Sequence, residues 1–514
     1  MSESLIALSI IAAISILIFM VVKPAFAGLL PDDEFNRRRN LWLAITFIVF
    51  LSHNFWLYIL LSAIAIHLTR LRECNAVALY FSLLFVMPPV WDKVPGLGFM
   101  DHLFVMNPTR LLEFTILLPT FLAISKQDDK LPFGRSPTEK LLMAYILLTL
   151  ILQIRNRTLT DALREGFYAL TDVFLPYYVI SRSLRDIDQF KKACSAFVLA
   201  VLLLSGAAIY EYASHQLLYS SIGESLGAKI DMSNYLMRGD SLRALATTGQ
   251  PIPLGFVVMV GIGLYLFLQR YISSRLMRNL SLMLLACGSF AALSRGPWIG
   301  TMILLITFMA MGPNARKNMV RLAAGSLAMI MLILALPGGE KIIDLLPFVG
   351  HVDSDNVAYR ERLFVNALSV IKQNPLLGSV NFLDTPEMQS MVQGQGIIDV
   401  VNSYLGIALE YGLIGLGLFA GFFLSILWGL YKPLRQFRSQ QNEHYLFGAI
   451  LFKARTNSLE DEHYLLGLAL FAVLLAILIT IYTVSSITVI PTVYWAVAGM
   501  GAAYIQMPRQ IKEC

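Results

Sequence analysis

The chain has 514 residues, of which 57% are hydrophobic and only 14% are charged. A soluble protein of this length would carry far more charge, so the composition excludes a soluble globular enzyme and indicates a membrane protein. The net charge of +6 would suggest a nucleic-acid partner for a soluble protein. In a membrane protein it indicates basic cytoplasmic loops, and no nucleic-acid partner is expected.

Apolar segments long enough to cross about 30 Å of hydrocarbon recur from one end of the chain to the other. They predict membrane spans at residues 5–22, 76–90, 110–125, 138–154, 166–183, 191–213, 253–269, 275–293, 297–312, 319–337, 402–430, 464–484 and 488–506. The apolar segment 41–68 is interrupted by Ser52-His53-Asn54, which favours a helical hairpin or a re-entrant pair. The first span resembles a signal peptide, but its start has no positive charge, so an uncleaved span is predicted. The predicted fold class is therefore all-α, that of a polytopic helical membrane protein.

Lysine and arginine residues are concentrated in alternate loops between the predicted spans, and most of the 40 lie on one side. This side is predicted to be cytoplasmic, because cytoplasmic loops of membrane proteins carry an excess of positive charge. The N-terminus and the longest polar segment then lie outside, and the C-terminus lies in the cytoplasm. Three regions are predicted: membrane helices with short loops over 1–337, a large outer loop over 338–401, and membrane helices over 402–514.

The sequence contains no motif typical of a metal-binding or nucleotide-binding site. The seven histidines are scattered, and the four cysteines (Cys74, Cys194, Cys287 and Cys514) have no paired spacing, so no metal site is expected. None of the cysteines falls in a predicted outer segment, and no disulfide is expected. The chain also has no P-loop, which argues against ATP-driven transport.

Arg295 lies in the tight turn Ser294-Arg295-Gly296-Pro297 between two predicted spans. Pro297 suits the first position of the following helix, and Gly296 permits the turn. An arginine held at a helix start on the outer side, beside the positive end of the helix dipole, suits an anionic ligand. The alternative is an interfacial arginine that reaches toward lipid headgroups.

The outer loop contains a predicted amphipathic helix over 355–373. Its apolar stripe is formed by Leu363, Phe364, Ala367, Leu368 and Ile371. Arg360 lies one turn before Phe364, so its side chain is expected to point toward the membrane domain, whereas Arg362 lies on the polar face. Arg360 is therefore preferred over Arg362 as a ligand-binding residue. The alternative is that Arg360 pairs with Glu361 or Asp353 and only holds the loop in place.

A second group of basic residues precedes the span that begins near residue 253. Arg243 lies just before this span, and Lys229 and Arg238 are nearby. Several guanidinium groups that meet in one outer cavity would suit a pyrophosphate, because their planar fork matches phosphate oxygens. For Lys229 and Arg238, a solvated loop is the favoured alternative.

Asp399 and Asn402 lie at the start of the predicted span 402–430, and Glu410 lies about 12 Å further along the helix axis. A carboxylate at that depth in a membrane needs a partner or a function. Glu410 is therefore expected either to anchor an arginine or to take part in proton transfer.

These motifs resemble the O-antigen ligase and polysaccharide polymerase superfamily. The matching residues are those at 294–298, Arg360 with Phe364, and the segments 374–378, 402–405 and 409–412, with the stretch from Arg243 to Pro251 as a weaker match. The resemblance covers mainly residues 240–430. It implies a multi-span, GT-C-like architecture with about 12–14 transmembrane helices and a large periplasmic loop. It also implies a metal-independent glycosyltransferase of the bacterial inner membrane, without a cofactor or a covalent intermediate.

The resemblance further implies that the donor is a glycan on undecaprenyl pyrophosphate, which the enzyme meets at the periplasmic face of the membrane. The candidate catalytic residues are Arg295, Arg360, Asp399 and Glu410, and the candidate substrate-binding residues are Arg243, Arg362, Asn402, Tyr404 and Arg238. The arginines would hold the pyrophosphate and stabilise the negative charge that develops as it leaves. The expected partners are the lipid-linked glycan and membrane lipid, with a chain-length regulator and a flippase as further candidates.

One position departs from the family pattern. Ligases of this family carry a histidine directly before the residue that aligns with Asn402, and this chain has Val401 there. Asp399 or Glu410 would have to substitute for it, or charge stabilisation alone would suffice. The departure favours a polymerase over a ligase. A flippase or transporter is the third hypothesis, and it predicts ionisable groups near mid-membrane and broken helices in matched halves.

Overall fold

The structure is a computed structural model that describes residues 3–96, 98, 101–127, 132–156, 158–233, 236–238, 241–312, 315–335, 354–393, 396–448 and 459–507. Within these ranges the chain is mainly α-helical, which confirms the predicted all-α membrane fold. The first part of the predicted outer loop, 338–353, lies outside the described residues. So does Asp353, one of the acidic partners considered for Arg360.

The helices of the first half follow most of the predicted spans in order. They are α1 (Glu3–Phe26), α2 (Asp32–Leu51), α3 (Phe55–Arg70), α4 (Ala76–Leu83), α5 (Pro108–Leu112), α6 (Leu118–Ser125), α7 (Pro137–Asn156), α8 (Leu159–Tyr168), α9 (Leu175–Ser183), α10 (Ile187–Ser214), α11 (Ile222–Leu226) and α12 (Pro251–Leu268). Two pairs, α5 with α6 and α8 with α9, are continuous through π-helical turns at Glu113–Leu117 and Ala169–Phe174. In both pairs a proline lies just after the wide turn, where its missing N–H disturbs the helix least.

The interrupted segment 41–68 forms a helical hairpin, one of the two predicted alternatives. Helix α2 ends at Leu51 and α3 begins at Phe55. His53 in the link has a positive φ of 50°. The side chain of Asn54 caps α3 by accepting a hydrogen bond from the backbone N–H of Leu57 at 3.0 Å.

The second half consists mainly of longer helices and includes the described part of the predicted outer loop. They are α13 (Arg275–Ala291), α14 (Arg295–Met311), α15 (Ala315–Ala335), α16 (Ser354–Gln373), α17 (Pro386–Gln389), α18 (Ser403–Gly448), α19 (Leu459–Thr483) and α20 (Ile490–Gln506). Among the described helices, 6 are long and apolar enough to cross a membrane, and α3 and α14 are shorter apolar helices. The predicted count of about 12–14 spans stays a prediction.

The predicted span 76–90 is wrong. Helix α4 ends at Leu83, and a β-strand begins at Val90. Pro88 and Pro89 lie between them, and prolines cannot continue the helical hydrogen-bond pattern.

Two small antiparallel sheets fold within segments that the sequence had indicated only as loops. Strands β1 (Val90–Pro95), β2 (His102–Met106) and β3 (Lys229–Ile230) form one sheet in the order β2-β1-β3, and β4 (Met237–Arg238) pairs with β5 (Ser241–Leu242). Trp91 joins two distant segments, because its indole N–H donates to Asp231 at 2.8 Å and the ammonium of Lys229 lies 4.9 Å from its ring centroid. These contacts hold the loop that carries Arg238 and Arg243 against the segment around Trp91.

Two apolar clusters position the candidate site. The larger one fills the helix bundle and includes residues of α1, α4, α10, α12, α19 and α20. The smaller one lies between α16 and the start of α18, and is formed by Leu363, Ala367, Val370, Ile371, Phe382, Met388, Met391, Leu405, Ala408 and Leu409. Helix α16 of the outer loop is therefore packed on the first turns of α18.

Candidate active site

The turn that carries Arg295 joins α13 to α14. Leu293 has a φ of 44°, and Arg295 is itself the first residue of α14. The prediction that Pro297 occupies the first helical position is therefore wrong by two residues. Pro297 still lies in the first turn, where the backbone N–H groups have no helical acceptor, so the proline costs no hydrogen bond. The half-buried side chain of Arg295 thus extends from the positive end of a helix.

The link between α19 and α20 lies directly against this turn. A side chain added at Gly296 would approach Thr483 Oγ1 to 2.9 Å and Val484 Cγ1 to 3.2 Å. The carbonyl of Val484 accepts hydrogen bonds from Ser403 through its N–H at 3.2 Å and its hydroxyl at 2.8 Å. The start of α18 and the start of α14 therefore share one neighbour, the segment 483–486.

The same segment positions Asp399. The hydroxyl of Ser485 donates to Asp399 Oδ1 at 2.6 Å, and the hydroxyl of Ser486 donates to Ser403 at 2.8 Å. The hydroxyl of Tyr359 donates to the backbone carbonyl of Asp399 at 3.0 Å, which ties Asp399 to α16. One oxygen of the half-buried Asp399 carboxylate is thus fixed by the link between α19 and α20.

Arg360 lies beside Asp399. Its side chain remains exposed to solvent, but its guanidinium is partly desolvated, which lowers its pKa, and the charge of Asp399 acts in the opposite direction. The acidic residue that acts on Arg360 is therefore Asp399, from the far end of the loop. The structure thus links Arg360 to the turn that carries Arg295 through Asp399, Ser485 and Val484.

The buried face of α16 differs from the predicted stripe. Leu363, Ala367 and Ile371 are buried as predicted, but Phe364 is 50% exposed and Leu368 is 38% exposed. The prediction is wrong for these two residues. The segment 382–391 and α18 cover a different face of the helix, which includes Val370. Arg362 is exposed, as predicted for the polar face of the helix.

Arg243 and Arg238 lie on the other side of the Arg295 turn. Arg238 is half-buried and donates through Nη1 to the carbonyl of Leu293, so the solvated-loop alternative is wrong for Arg238. The backbone N–H of Ala244 donates to the carbonyl of Ala291 at 3.0 Å. Lys229, by contrast, is exposed. Arg238 and Arg243 are therefore held against the two residues that lead into the turn.

The guanidinium of Arg243 is in an unfavourable environment for a cation. Desolvation and the neighbouring charge of Arg238 lower its pKa to about 10. Its Nε is buried without a hydrogen-bond partner among the described residues. The group nevertheless stays protonated at neutral pH. A desolvated guanidinium beside a second arginine is a cation that an anionic ligand would stabilise.

Glu211 holds the Arg243 loop in place, although no motif in the sequence singles it out. This fully buried residue of α10 accepts hydrogen bonds from the backbone N–H groups of Leu218 at 3.0 Å, Leu245 at 2.9 Å and Ala246 at 2.8 Å. Ala246 has a positive φ of 45°. A buried carboxylate that accepts three backbone N–H groups satisfies donors that have no other described partner.

We expect Glu211→Gln to lower stability by about 1–3 kcal/mol, because the amide N–H₂ group would face backbone donors and leave at least one of them unpaired. Thermal unfolding of the detergent-purified protein measures the change. Glu224→Gln is the matched control, because Glu224 is exposed on α11. Equal midpoints for the two variants would contradict the anchoring role.

Asn402 and Tyr404 have contacts that fix the start of α18. The side-chain oxygen of Asn402 accepts from the backbone N–H groups of Tyr404 at 3.0 Å and Leu405 at 3.1 Å, so it caps the helix. The hydroxyl of Tyr404 donates to the carbonyl of Leu478 on α19 at 2.8 Å. A substrate-binding role for either residue stays a prediction.

Glu410 faces another helix. Its carboxylate accepts a hydrogen bond from the side chain of Gln153 on α7 at 3.2 Å. This contact lies away from the chain of contacts that joins Arg295 to Arg360, and the two expected roles of Glu410 stay predictions. Within the described residues, no group of three or more His, Cys, Asp or Glu side chains could hold a metal ion.

Residues 374–378 insert into a break in α18 at Gly412, which has a φ of 68°. The carbonyl of Leu409 accepts from the N–H of Ser379 at 2.8 Å. The N–H groups of Leu413 and Ile414 donate to the carbonyls of Pro375 at 2.8 Å and Leu376 at 3.2 Å. Backbone groups freed by the break are therefore paired with the segment that follows α16, which fixes the outer loop on the membrane helix.

The fold and the site define a polytopic α-helical membrane protein with arginines gathered at one end of its helix bundle. Residues 280–420 match the family model described as O-antigen ligase. The match contains Arg295, Arg360, Asp399 and Gly412, and it confirms the resemblance to the ligase and polymerase superfamily. The comparison with curated proteins found no match. The match supports a membrane glycan ligase or polymerase role, a glycosyltransferase-type activity and a lipid-linked glycan as substrate.

Proposed function

We propose that this protein polymerises oligosaccharide repeat units linked to undecaprenyl pyrophosphate into exopolysaccharide or O-antigen at the periplasmic face of the inner membrane. The observation that carries the proposal is the set of contacts at one end of the bundle. They join the Arg295 turn to Arg238 on one side and, through Val484, Ser485 and Asp399, to Arg360 on the other. Guanidinium groups so arranged suit a diphosphate.

In the proposed reaction, the growing glycan moves from its lipid carrier to a hydroxyl of the next lipid-linked unit. The bond between the anomeric carbon and the pyrophosphate oxygen breaks, and the pyrophosphate leaves with the electron pair. Arg295, Arg360 and Arg243 stabilise the charge that develops on it, which is typically the largest single contribution to such a step. Because the arginines themselves neutralise the negative charge of the leaving pyrophosphate, the proposed mechanism requires no metal ion.

The acceptor hydroxyl loses its proton as its oxygen forms the new bond. Asp399 is the proposed acceptor of that proton, because Ser485 fixes its Oδ1 while the carboxylate remains half-buried beside Arg360. This assignment gives Asp399 the place that the family histidine would have, two residues along the chain from Val401. The proposed orientation puts the N-terminus and the outer loop in the periplasm, where a chain-length regulator and a flippase would be partners.

Ligase activity toward lipid A core or protein is the second candidate, and the description of the matched family model favours it. Val401 in the position of the family histidine argues against it. The two functions differ in their acceptor. A polymerase needs only lipid-linked repeat units, whereas a ligase needs a second acceptor molecule.

The test uses the purified protein in proteoliposomes with a lipid-linked repeat unit as the only glycan. We expect a ladder of longer lipid-linked products. Product that forms only after lipid A core or a protein acceptor is added would contradict the polymerase proposal and support a ligase. In a deletion strain, single lipid-linked units should accumulate, whereas accumulation of lipid-linked polymer would indicate a ligase. Transport of the unit without lengthening would indicate a flippase.

A further inference from the structure

Helix α16 carries a second apolar face that nothing in the described chain covers. Leu363, Ala367 and Val370 are buried, but Phe364 is 50% exposed and Val365 is 61% exposed. Leu368, one turn after Phe364, is 38% exposed. Adjacent exposed apolar side chains on a helix of a polar loop indicate a binding surface or a membrane contact.

This exposed face begins at Arg360. Arg360, Phe364 and Leu368 follow one another at intervals of four residues, so they form a single row along α16. The row is about 12 Å long at 1.5 Å per residue. Its charged end follows Tyr359, whose hydroxyl donates to the backbone carbonyl of Asp399 at 3.0 Å, and its apolar end lies about two turns further along the helix.

Further exposed apolar residues lie after the end of α16. Leu376 is 62% exposed, and its carbonyl accepts the N–H of Ile414 on α18 at 3.2 Å. Leu413 and Ile414 are 51% and 42% exposed, and they belong to the candidate membrane span Ser403–Phe437. Exposed apolar residues therefore occur both along α16, whose row begins at the cationic Arg360, and on a helix that is a candidate membrane span.

We propose that the face formed by Phe364, Val365 and Leu368 binds the part of the donor's polyprenyl chain nearest to its pyrophosphate, with Arg360 at the pyrophosphate end. A molecule with an anionic head and a long apolar tail matches a row that has a cation at one end and apolar residues along the rest. The identity of the tail rests on the proposed function. The face would hold the lipid so that its pyrophosphate reaches the arginines at 295 and 360.

The first test is photolabelling, which requires binding but no glycan transfer. The probe is polyprenyl pyrophosphate with a photoreactive diazirine on the first isoprene units, and the full-length protein is in proteoliposomes. Trypsin cleavage after Arg362 and Lys372 isolates the peptide 363–372, which contains all three residues of the face. We expect this peptide to be labelled, and unlabelled polyprenyl pyrophosphate to compete with the labelling.

A phosphatidylglycerol that carries the same diazirine provides the comparison with bulk lipid. Labelling of 363–372 by this phospholipid to the same extent, without competition from polyprenyl pyrophosphate, would show a general membrane contact and overturn the proposal. Absence of label from 363–372 with the polyprenyl probe would also overturn it. Either result could occur in a protein that still lengthens glycans, so it would leave the proposed function standing.

The second test is the double variant Phe364→Ser with Leu368→Ser, with Leu383→Ser and Val392→Ser as the matched control. The control residues are 40% and 44% exposed in the same loop. We expect the test variant to raise the KM for a donor on a full-length polyprenyl chain about tenfold and to leave the KM for a donor whose pyrophosphate carries a methyl group in place of the polyprenyl chain unchanged. Equal losses for both donors would assign the face a structural role instead.

Discussion

Alanine at Gly412 or Gly378 is expected to detach the outer loop from the membrane helix and to abolish glycan transfer. The two glycines have φ values of 68° and 64°, a region that L-residues occupy at a cost of about 1–2 kcal/mol. They also face one another. A Cβ at Gly378 would lie 2.5 Å from the backbone nitrogen of Gly412, and a Cβ at Gly412 would collide with the backbone of Leu376.

The collision involves backbone atoms, which cannot move aside as a flexible side chain does. The two segments would have to separate, and separation would remove the hydrogen bonds of Ser379, Leu413 and Ile414 that close the break in α18. Helix α16 ends next to this junction, so Arg360 would lose its fixed position beside Asp399. We expect transfer activity to fall at least about a hundredfold, because the loss of one correctly positioned charge at an active site typically has an effect of this size.

Limited trypsin digestion measures the detachment, because Arg360 and Arg362 lie in the affected helix. Gly417→Ala is the matched control, since Gly417 lies in the same helix with no atom within 4 Å of an added Cβ. Alanine there should stabilise the helix slightly, by about 0.5–1 kcal/mol. Wild-type digestion and activity in Gly412→Ala would contradict the proposed junction.

Features that depend on local sequence could be predicted. Hydropathy gave the all-α membrane fold, and the interruption at Ser52-His53-Asn54 gave the helical hairpin as one of two alternatives. The end of α16 at Gln373 agrees with the predicted helix 355–373, because the following Asn374-Pro375 disfavours continuation of a helix. The turn around Arg295 was also visible, because glycine and proline restrict the backbone there.

Features that depend on contacts between distant segments could not be predicted. Ser485 and Asp399 are 86 residues apart, and Glu211 meets Ala246 across 35 residues. A lone serine or glutamate in an apolar sequence carries no sign of such a partner. The predicted buried face of α16 was partly wrong for a related reason. Periodicity alone did not separate the covered apolar residues from the exposed Phe364 and Leu368, and only the packed structure showed which side of the helix is covered.

Arg295→Ala is expected to reduce kcat by about a hundred- to a thousandfold, with a smaller change in KM. The reason is the position of Arg295 at the start of α14, where the arginine and the helix dipole both favour charge on a leaving pyrophosphate. Arg295→Lys keeps the charge but loses the planar fork, so an intermediate loss is expected. The lengthening assay in proteoliposomes measures both variants.

Arg275→Ala is the matched control, because Arg275 is also the first residue of a helix, α13, and lies at the end of that helix opposite to Ala291. It is exposed, and its replacement should leave the rate unchanged. A full-length product ladder at the wild-type rate from Arg295→Ala would contradict the proposed mechanism.

The double variant Arg295→Ala with Arg243→Ala tests whether the arginines act on the same ligand. Residues that stabilise one group together show non-additive losses, whereas independent sites multiply their effects. If both guanidinium groups bind one pyrophosphate, the double variant should lose less activity than the product of the two single losses. If the loss of the double variant equals the product of the two single losses, Arg243 and Arg295 act independently. One arginine would then bind the donor and the other the acceptor.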